Sequence, residues 1–195
     1  QVTWISIANQ IGKRMSLKEL TWEHHKRAER QDFVKVLMSG EIDPRLYATF
    51  LYNQHPMYNL LEVLAMNHGL MNDIGEVRRA PTILEDYNEL WEDKENTPEL
   101  LPVTKEYMDH LMSIKDEPNK LMAHIYVRHM GELSGGQMIK RKIPGEGRFY
   151  QFENANELKE KIRSMIDDSM ADEAKLVFDF ATQTFKELME VKFND

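Results

Sequence analysis

Residues 118–142 read PNKLMAHIYVRHMGELSGGQMIKRK, and the pattern of this stretch decides the class of the fold. Leu121 and Ile125, then Met130 and Leu133, recur at the three- and four-residue spacing that puts side chains on one face of an α-helix. Three glycines, Gly131, Gly135 and Gly136, interrupt that pattern. Each glycine inside a helix costs about 0.5 to 1 kcal/mol relative to alanine, so three together give up roughly 2 to 3 kcal/mol if the helix continues. Two readings follow. In one, the helix continues or kinks, and Gly131 and Gly135, four apart, present bare backbone against which a flat ligand lies. In the other, Gly135-Gly136 is a plain C-terminal stop, with Lys140, Arg141 and Lys142 as partners for the helix dipole.

The helical period extends outward from this stretch through almost the whole chain. Only 9 Gly and 7 Pro punctuate 195 residues, and no alternating strand pattern of any length occurs, so the class is all-α. Ser16 followed by Glu19 reads as a capping box opening a helix to about residue 30, with a bend before a segment over 32–39 that stops at Gly40. Asp43-Pro44 opens a long helix to about Asn67, kinked at Pro56, with His68-Gly69 as its exit. Pro81 begins a helix to about Glu92, Thr97-Pro98 another to about Ile114, and Glu117-Pro118 the long one quoted above. Pro144 to Phe152 reads as a loop, and two helices, about 154–167 and 170–191, finish the chain. With 42% hydrophobic and 30% charged residues, residues 1–195 suit one domain, a helical bundle with its own core.

Composition removes several function classes. Cys 0 excludes disulfides, zinc-ribbon and iron–sulfur sites, thiolate-ligated haem and any cysteine nucleophile. A net charge of −8 makes phosphate neutralisation a poor basis for binding, so no nucleic acid is expected as a partner. No window reaches the ~18 uncharged apolar residues of a membrane span, and Gln1 to Met15 lacks a signal-peptide core, so the chain reads as soluble, with no membrane partner.

Three constellations carry potential chemistry. His25 and Glu29 lie four apart on the stripe that also holds Lys18, Thr21, Trp22, Ala28 and Asp32. An imidazole that coordinates a metal commonly donates its other N–H to a carboxylate, although the pair equally suits a surface ion pair. His24 sits about 100° round the helix and cannot address the same ion. The glycine stretch is the second constellation. The third is Lys159 and Arg163, four apart, able to clamp an anion or simply to decorate a solvated face. No histidine has Glu three residues before it, which argues against the Glu-x-x-His pairs of di-iron bundles.

Two stretches then resemble the haem oxygenases, all-helical enzymes that open the haem ring. Glu19 to Glu29, ELTWEHHKRAE, is similar to the family's proximal helix, and Ala123 to Gln137, AHIYVRHMGELSGGQ, to its distal signature. The resemblance implies haem b as both substrate and cofactor, sandwiched between the proximal helix and a kinked distal helix. It implies His25 as the axial iron ligand with Glu29 as its supporting acid, and Gly131, Gly135 and Gly136 as the distal wall. It places Lys18, Tyr126, Lys159 and Arg163 at the haem propionates, and Glu132 with Arg128 in the proton supply toward dioxygen. The implied reaction opens the α-meso bridge with O2 and external electrons, giving biliverdin IXα, CO and Fe2+. A soluble donor, ferredoxin, and a downstream bilin reductase are the implied partners, with a cytoplasmic or plastid-stroma location. Lys140, Arg141, Lys142 and Arg148 form the densest basic cluster for such a donor. The sequence departs from the family twice: Glu132 stands where the family has aspartate, and Ala181 where a polar side chain is expected to serve the same network. A carrier or sensor of the same fold, without turnover, is the alternative that these departures raise.

Overall fold

The computed structural model describes residues 15–194, and every regular element among them is helical. The reading of Gln1 to Met15 lies almost wholly outside the described residues. The capping box forms as expected, Ser16 Oγ accepting from the Glu19 N–H at 3.2 Å. The helix it opens is shorter than the periodicity predicts. It divides into α1 (Leu17–Leu20) and α2 (Trp22–Glu29) at Thr21, whose hydroxyl donates back to the Leu17 carbonyl at 2.8 Å. Back-bonding of this kind competes with the helix ladder. Then α3 (Asp32–Met38) follows, and Gly40 turns the chain at φ +80°.

Helix α4 (Pro44–Asn67) has the expected ends: Asp43 Oδ1 accepts from Arg45 N–H at 2.8 Å, proline occupies the first turn, and Gly69 follows at φ +70°. It carries through Pro56, which removes one rung of the ladder without ending the helix. Helix α5 (Ala80–Leu90) packs along it. The helix expected to start at Thr97-Pro98 starts instead at Pro102, as α6 (Pro102–Ser113). The reason is Asn53 of α4, whose amide donates to Glu99 O at 2.8 Å and whose carbonyl accepts from Leu101 N–H at 2.9 Å and the Thr104 hydroxyl at 2.7 Å. A buried asparagine thus holds 99–101 extended, a constraint invisible to local periodicity.

Helix α7 (Pro118–Lys140) runs unbroken through all three glycines, which overturns the reading of Gly135-Gly136 as a stop. After it the chain is more than a loop. A single 3-10 turn, Arg148–Tyr150, buries Phe149 and Tyr150. Asp86 accepts from the N–H groups of Arg148 and Phe149 at 3.1 and 2.9 Å, while the buried Arg79 guanidinium donates to the carbonyls of Arg148, Phe149 and Gln151. Helix α8 (Ala155–Arg163) and helix α9 (Ala171–Leu188) complete the bundle. One core cluster gathers Met57, Leu61, Tyr107, Leu111, Leu121 and Ile125; another gathers Phe33, Tyr47, Leu51, Ile83 and Phe149. Phe180 of α9 packs against both. Burying each such side chain is worth about 1.5 to 3 kcal/mol, and the volume these clusters leave between them is where the candidate site lies.

Candidate functional site

A cavity of about 1010 Å³ opens between α2, α4, α7 and α9, at the upper end of the roughly 300 to 1,000 Å³ usual for cofactor pockets. Its walls draw on both core clusters: Leu37, Phe50 and Phe149 on one side, Val127, Met130 and Ile166 on the other. Apolar walls with a few converging polar groups suit a large flat apolar ligand.

His25 and Glu29 both line it from α2. The imidazole stacks on Phe178 of α9, ring centroids 5.0 Å apart and 15° from parallel, with Trp22 edge-on at 5.6 Å. Glu29 Oε1 lies 2.7 Å from His25 Nε2. A carboxylate only accepts, so in this geometry Nε2 donates and Nδ1 is the nitrogen left for a metal. His24 turns away and meets Asp179 Oδ1 through Nδ1 at 2.8 Å.

Opposite polar groups come from α7. Gly131 and Gly135 line the cavity, and a Cβ built on either would meet no heavy atom within 4 Å. Gly136 does something else: its Cβ would lie 3.2 Å from Tyr150 Cβ, so this glycine seats the 3-10 turn against α7 and does not line the cavity. Expecting Gly136 in the distal wall with the other two is corrected by helical geometry, since residue 136 lies about 100° round from residue 135.

Glu132 is buried and forms no surface ion pair with Arg128. One of its carboxylate oxygens accepts from the Tyr58 hydroxyl; the other, Oε2, is buried with no hydrogen-bond partner. Burial pushes its carboxyl up to about 7, against the opposing pull of His129, Tyr58, Arg128 and Arg79. Behind it, His129 Nε2 lies 2.8 Å from Glu62 Oε2, and Glu62 accepts from the N–H groups of Arg79 and Ala80. Ala181 also lines the cavity and adds no polar atom to it.

Arg128, also on the cavity wall, donates from Nε to the Tyr107 hydroxyl oxygen at 2.9 Å and lies with Cζ 4.2 Å from that ring's centre. Tyr107 Oη is 2.6 Å from His124 Nδ1; His124 Nε2 is 2.7 Å and His110 Nε2 2.5 Å from Glu173 Oε1. Burial drives His124 down to about 4 even though Glu173 pulls the other way. Burial also opposes ionisation of Glu173, but hydrogen bonds from His124 and His110 prevail and hold its carboxyl at about 2. With Glu173 a carboxylate and His124 neutral, every proton has one place: both Nε2–H groups donate to Glu173, and the Tyr107 hydroxyl donates to His124 Nδ1.

At the rim stand Lys18, Tyr126 and Arg163, all lining the cavity. Lys159 is not among the lining residues, although it lies four before Arg163 on α8. Arg163 pairs with Glu160 at 2.5 Å on its own helix. In the basic cluster, Arg148 is already matched by Asp86 at 3.2 Å and Glu89 at 2.8 Å, which leaves Lys140, Arg141 and Lys142 without an ion pair among the described residues. Sequence reasoning missed Tyr58, Gln54 and Tyr107. Gln54 and Tyr58 lie four apart on α4 and so share one face, which is the one signal that could have found them.

The donor set fits a haem. The two open glycine positions form a flat backbone cradle, His25 offers one free ring nitrogen, cations stand at the mouth, and a buried carboxylate oxygen lacks a partner.

A family model described as Heme oxygenase matches residues 14–193. Heme oxygenase 2 of Macaca fascicularis is 31% identical over 204 residues, covering 88% of this chain and 64% of that protein, so the chain spans just under two thirds of that relative's length. Among solved structures, heme oxygenase-1 of Synechocystis in complex with heme superposes with a TM-score of 0.78 at 23% identity, over 89% of this chain and 90% of that one. The heme oxygenase of Leptospira interrogans superposes at 0.74 with 28% identity, over 89% and 100%.

Proposed function

This chain belongs to the haem oxygenase family, and from that premise we propose that it binds one haem b in the cavity, over a domain spanning residues 1–195, and opens the ring at the α-meso carbon. The products would be biliverdin IXα, CO and Fe2+, with O2 and external electrons consumed. The observation that carries this reading is the pairing of His25 on one wall with the open Gly131–Gly135 backbone and the buried, half-satisfied Glu132 on the other.

Bound haem supplies both the ring to be cleaved and the iron that activates dioxygen. The protein's part is positioning and proton control. His25 would hold the iron through its free nitrogen, with Glu29 fixing the tautomer by accepting from the other. Lys18, Tyr126 and Arg163 would hold the propionates and so orient the ring, with Lys159, which does not line the cavity, adding only its charge. Glu132 holds or releases a proton at Oε2 near neutral pH, and Tyr58 restrains its other oxygen. Arg128 is fixed by Tyr107 and keeps positive charge beside that carboxyl. The apolar walls would keep bulk water from the site.

Electrons come from a soluble donor of ferredoxin type docking on Lys140, Arg141 and Lys142, an attraction that weakens with salt because exposed charges are screened over about 8 Å at physiological ionic strength. A bilin reductase would take the product. No helix of the described residues is long and apolar enough to cross a membrane. The deciding experiment adds haem and a reductant to the protein in air. Conversion of the Soret band to a bilin spectrum supports the proposal; a stable oxygenated haem spectrum points to a carrier, and an unshifted Soret band refutes haem binding.

A further inference from the structure

Away from the residues that line the cavity, three helices converge on one carboxylate oxygen. His110 of α6, His124 of α7 and Glu173 of α9 bring a ligand atom each within 4.8 Å of one another. The two imidazoles approach the same Glu173 Oε1 through Nε2, at 2.5 and 2.7 Å. Their rings lie 5.6 Å apart and 29° from parallel, and Phe180 packs on the His110 ring at 5.6 Å, so helix packing fixes the convergence. We propose that His110, His124 and Glu173 form a second metal site, separate from His25, for one first-row divalent transition-metal ion.

The chemistry of the donors selects the class of ion. Two imidazole nitrogens and one carboxylate are borderline ligands, suited to Fe2+, Co2+ or Zn2+ rather than to Mg2+ or Ca2+, and the chain has no thiolate to compete for them. Metal–ligand distances of about 2.0 to 2.2 Å in tetrahedral geometry put donor atoms roughly 3.3 to 3.6 Å apart, so the present N–O separations must widen by roughly 0.6 to 1.1 Å, a movement that side-chain rotations can supply. The outer shell is also present. A metal-bound His typically donates its remote N–H to a fixed oxygen; Tyr107 Oη stands 2.6 Å from His124 Nδ1, and its hydroxyl, the donor of that bond in the metal-free protein, would turn its hydrogen away and accept instead. On binding, the proton of each Nε2 moves to Nδ1, so no net charge is lost from the imidazoles. Access from solvent comes through a separate pocket of about 480 Å³ that reaches Glu173 past the polar side chains of Asn119, Ser169 and Asp172.

The site is tested on the haem-free, full-length protein, so its failure leaves the haem reading untouched. Co2+ is titrated while its d–d absorption is followed, and Zn2+ is then used to displace it. The expected result is an intensified Co2+ spectrum that saturates at one equivalent and is bleached by Zn2+. The same spectrum is expected in His25→Ala, and it should be lost in His110→Ala and Glu173→Gln. His110 lies at the edge of the site, with its side chain 21% exposed, so its loss spares the core; unchanged circular dichroism verifies the fold. Tyr107→Phe keeps all three ligands but removes the orienting hydroxyl, and should weaken Co2+ binding by about 10- to 100-fold. Absence of a one-equivalent species, or its survival in both His110→Ala and Glu173→Gln, overturns the proposal.

Discussion

Replacing Gly131 and Gly135 by alanine is expected to stabilise the haem-free protein and to weaken its hold on haem. Both glycines lie inside α7, and neither Cβ would meet a heavy atom within 4 Å. The helix therefore gains the usual Gly→Ala increment without any steric cost, about 0.5 to 1 kcal/mol at each position. For a domain of this length about 1 kcal/mol moves Tm by about 2 to 4 °C, so the double variant should melt roughly 2 to 8 °C higher. The new methyl groups project into the space a flat ring would occupy. Overpacking of a filled site costs about 1 to 3 kcal/mol, which corresponds to a roughly 5- to 150-fold rise in the haem Kd. Gly136→Ala separates the two effects, because its Cβ would press on Tyr150 Cβ at 3.2 Å and Cδ1 at 3.3 Å, and this ring is buried. That variant should lower Tm, and because Gly136 itself does not line the cavity it should reach the haem only through any shift of Tyr150, which does. Differential scanning calorimetry of the apoprotein and Soret titration measure the two quantities independently. A lower Tm in Gly131→Ala and Gly135→Ala, or an unchanged haem Kd, would refute the assignment of these glycines as a ligand-facing wall.

Further outcomes follow from the same geometry. His25→Ala should abolish the histidine-ligated haem spectrum and regain it with added imidazole, whereas His24→Ala, which loses only a contact to Asp179, should leave it intact; optical spectra of both decide the ligand. Glu132 has a native pKa of about 7 against an ordinary 4.5, so the native state binds the extra proton, and stability present below pH 4.5 is lost as pH rises through 7. Glu132→Gln should therefore gain on the wild type by up to about 3 kcal/mol between those limits, and denaturant melts at pH 5 and 8 that show a constant difference would contradict the burial argument. The same variant should slow bilin formation by about 100-fold or more if the carboxyl delivers protons, read in single-turnover spectra. Arg163→Ala should yield mixed biliverdin isomers by chromatography while Lys159→Ala keeps the IXα product, because only Arg163 lines the cavity; the reverse result would reassign the propionate contacts.

Much of the fold was legible because its determinants are local. Asp43-Pro44, Gly69 and Ser16 with Glu19 mark ends that hydrogen bonds one turn away enforce, and a sequence carries such information in a few adjacent residues. The start of α6 was not, because Asn53 enforces it from 46 residues earlier through a bond to Glu99. The shortening of α1 was missed for a different reason: a threonine hydroxyl can decorate a helix or break it, and spacing alone does not choose.

The site divides along the same line. His25 with Glu29, and Gly131 with Gly135, are pairs four residues apart on single helices, so their mutual reach is a property of the helix and survives any packing. Glu132 is the opposite case. Its i−4 neighbour Arg128 offered a ready local partner, yet α4 packs Tyr58 against the carboxyl and α6 supplies Tyr107 to draw Arg128 aside. That exchange of partners leaves a buried acid with one free oxygen and a pKa near 7. A carboxyl in that state costs stability rather than holding the bundle together, which is consistent with the proton-transfer role proposed for it. The extra methylene of glutamate is compatible with this, since Tyr58 restrains one oxygen and leaves Oε2 without a partner. Shortening the side chain in Glu132→Asp would draw the carboxyl back toward α7 and loosen its contact with Tyr58, so the proton donor would be re-aimed even though its chemistry is unchanged.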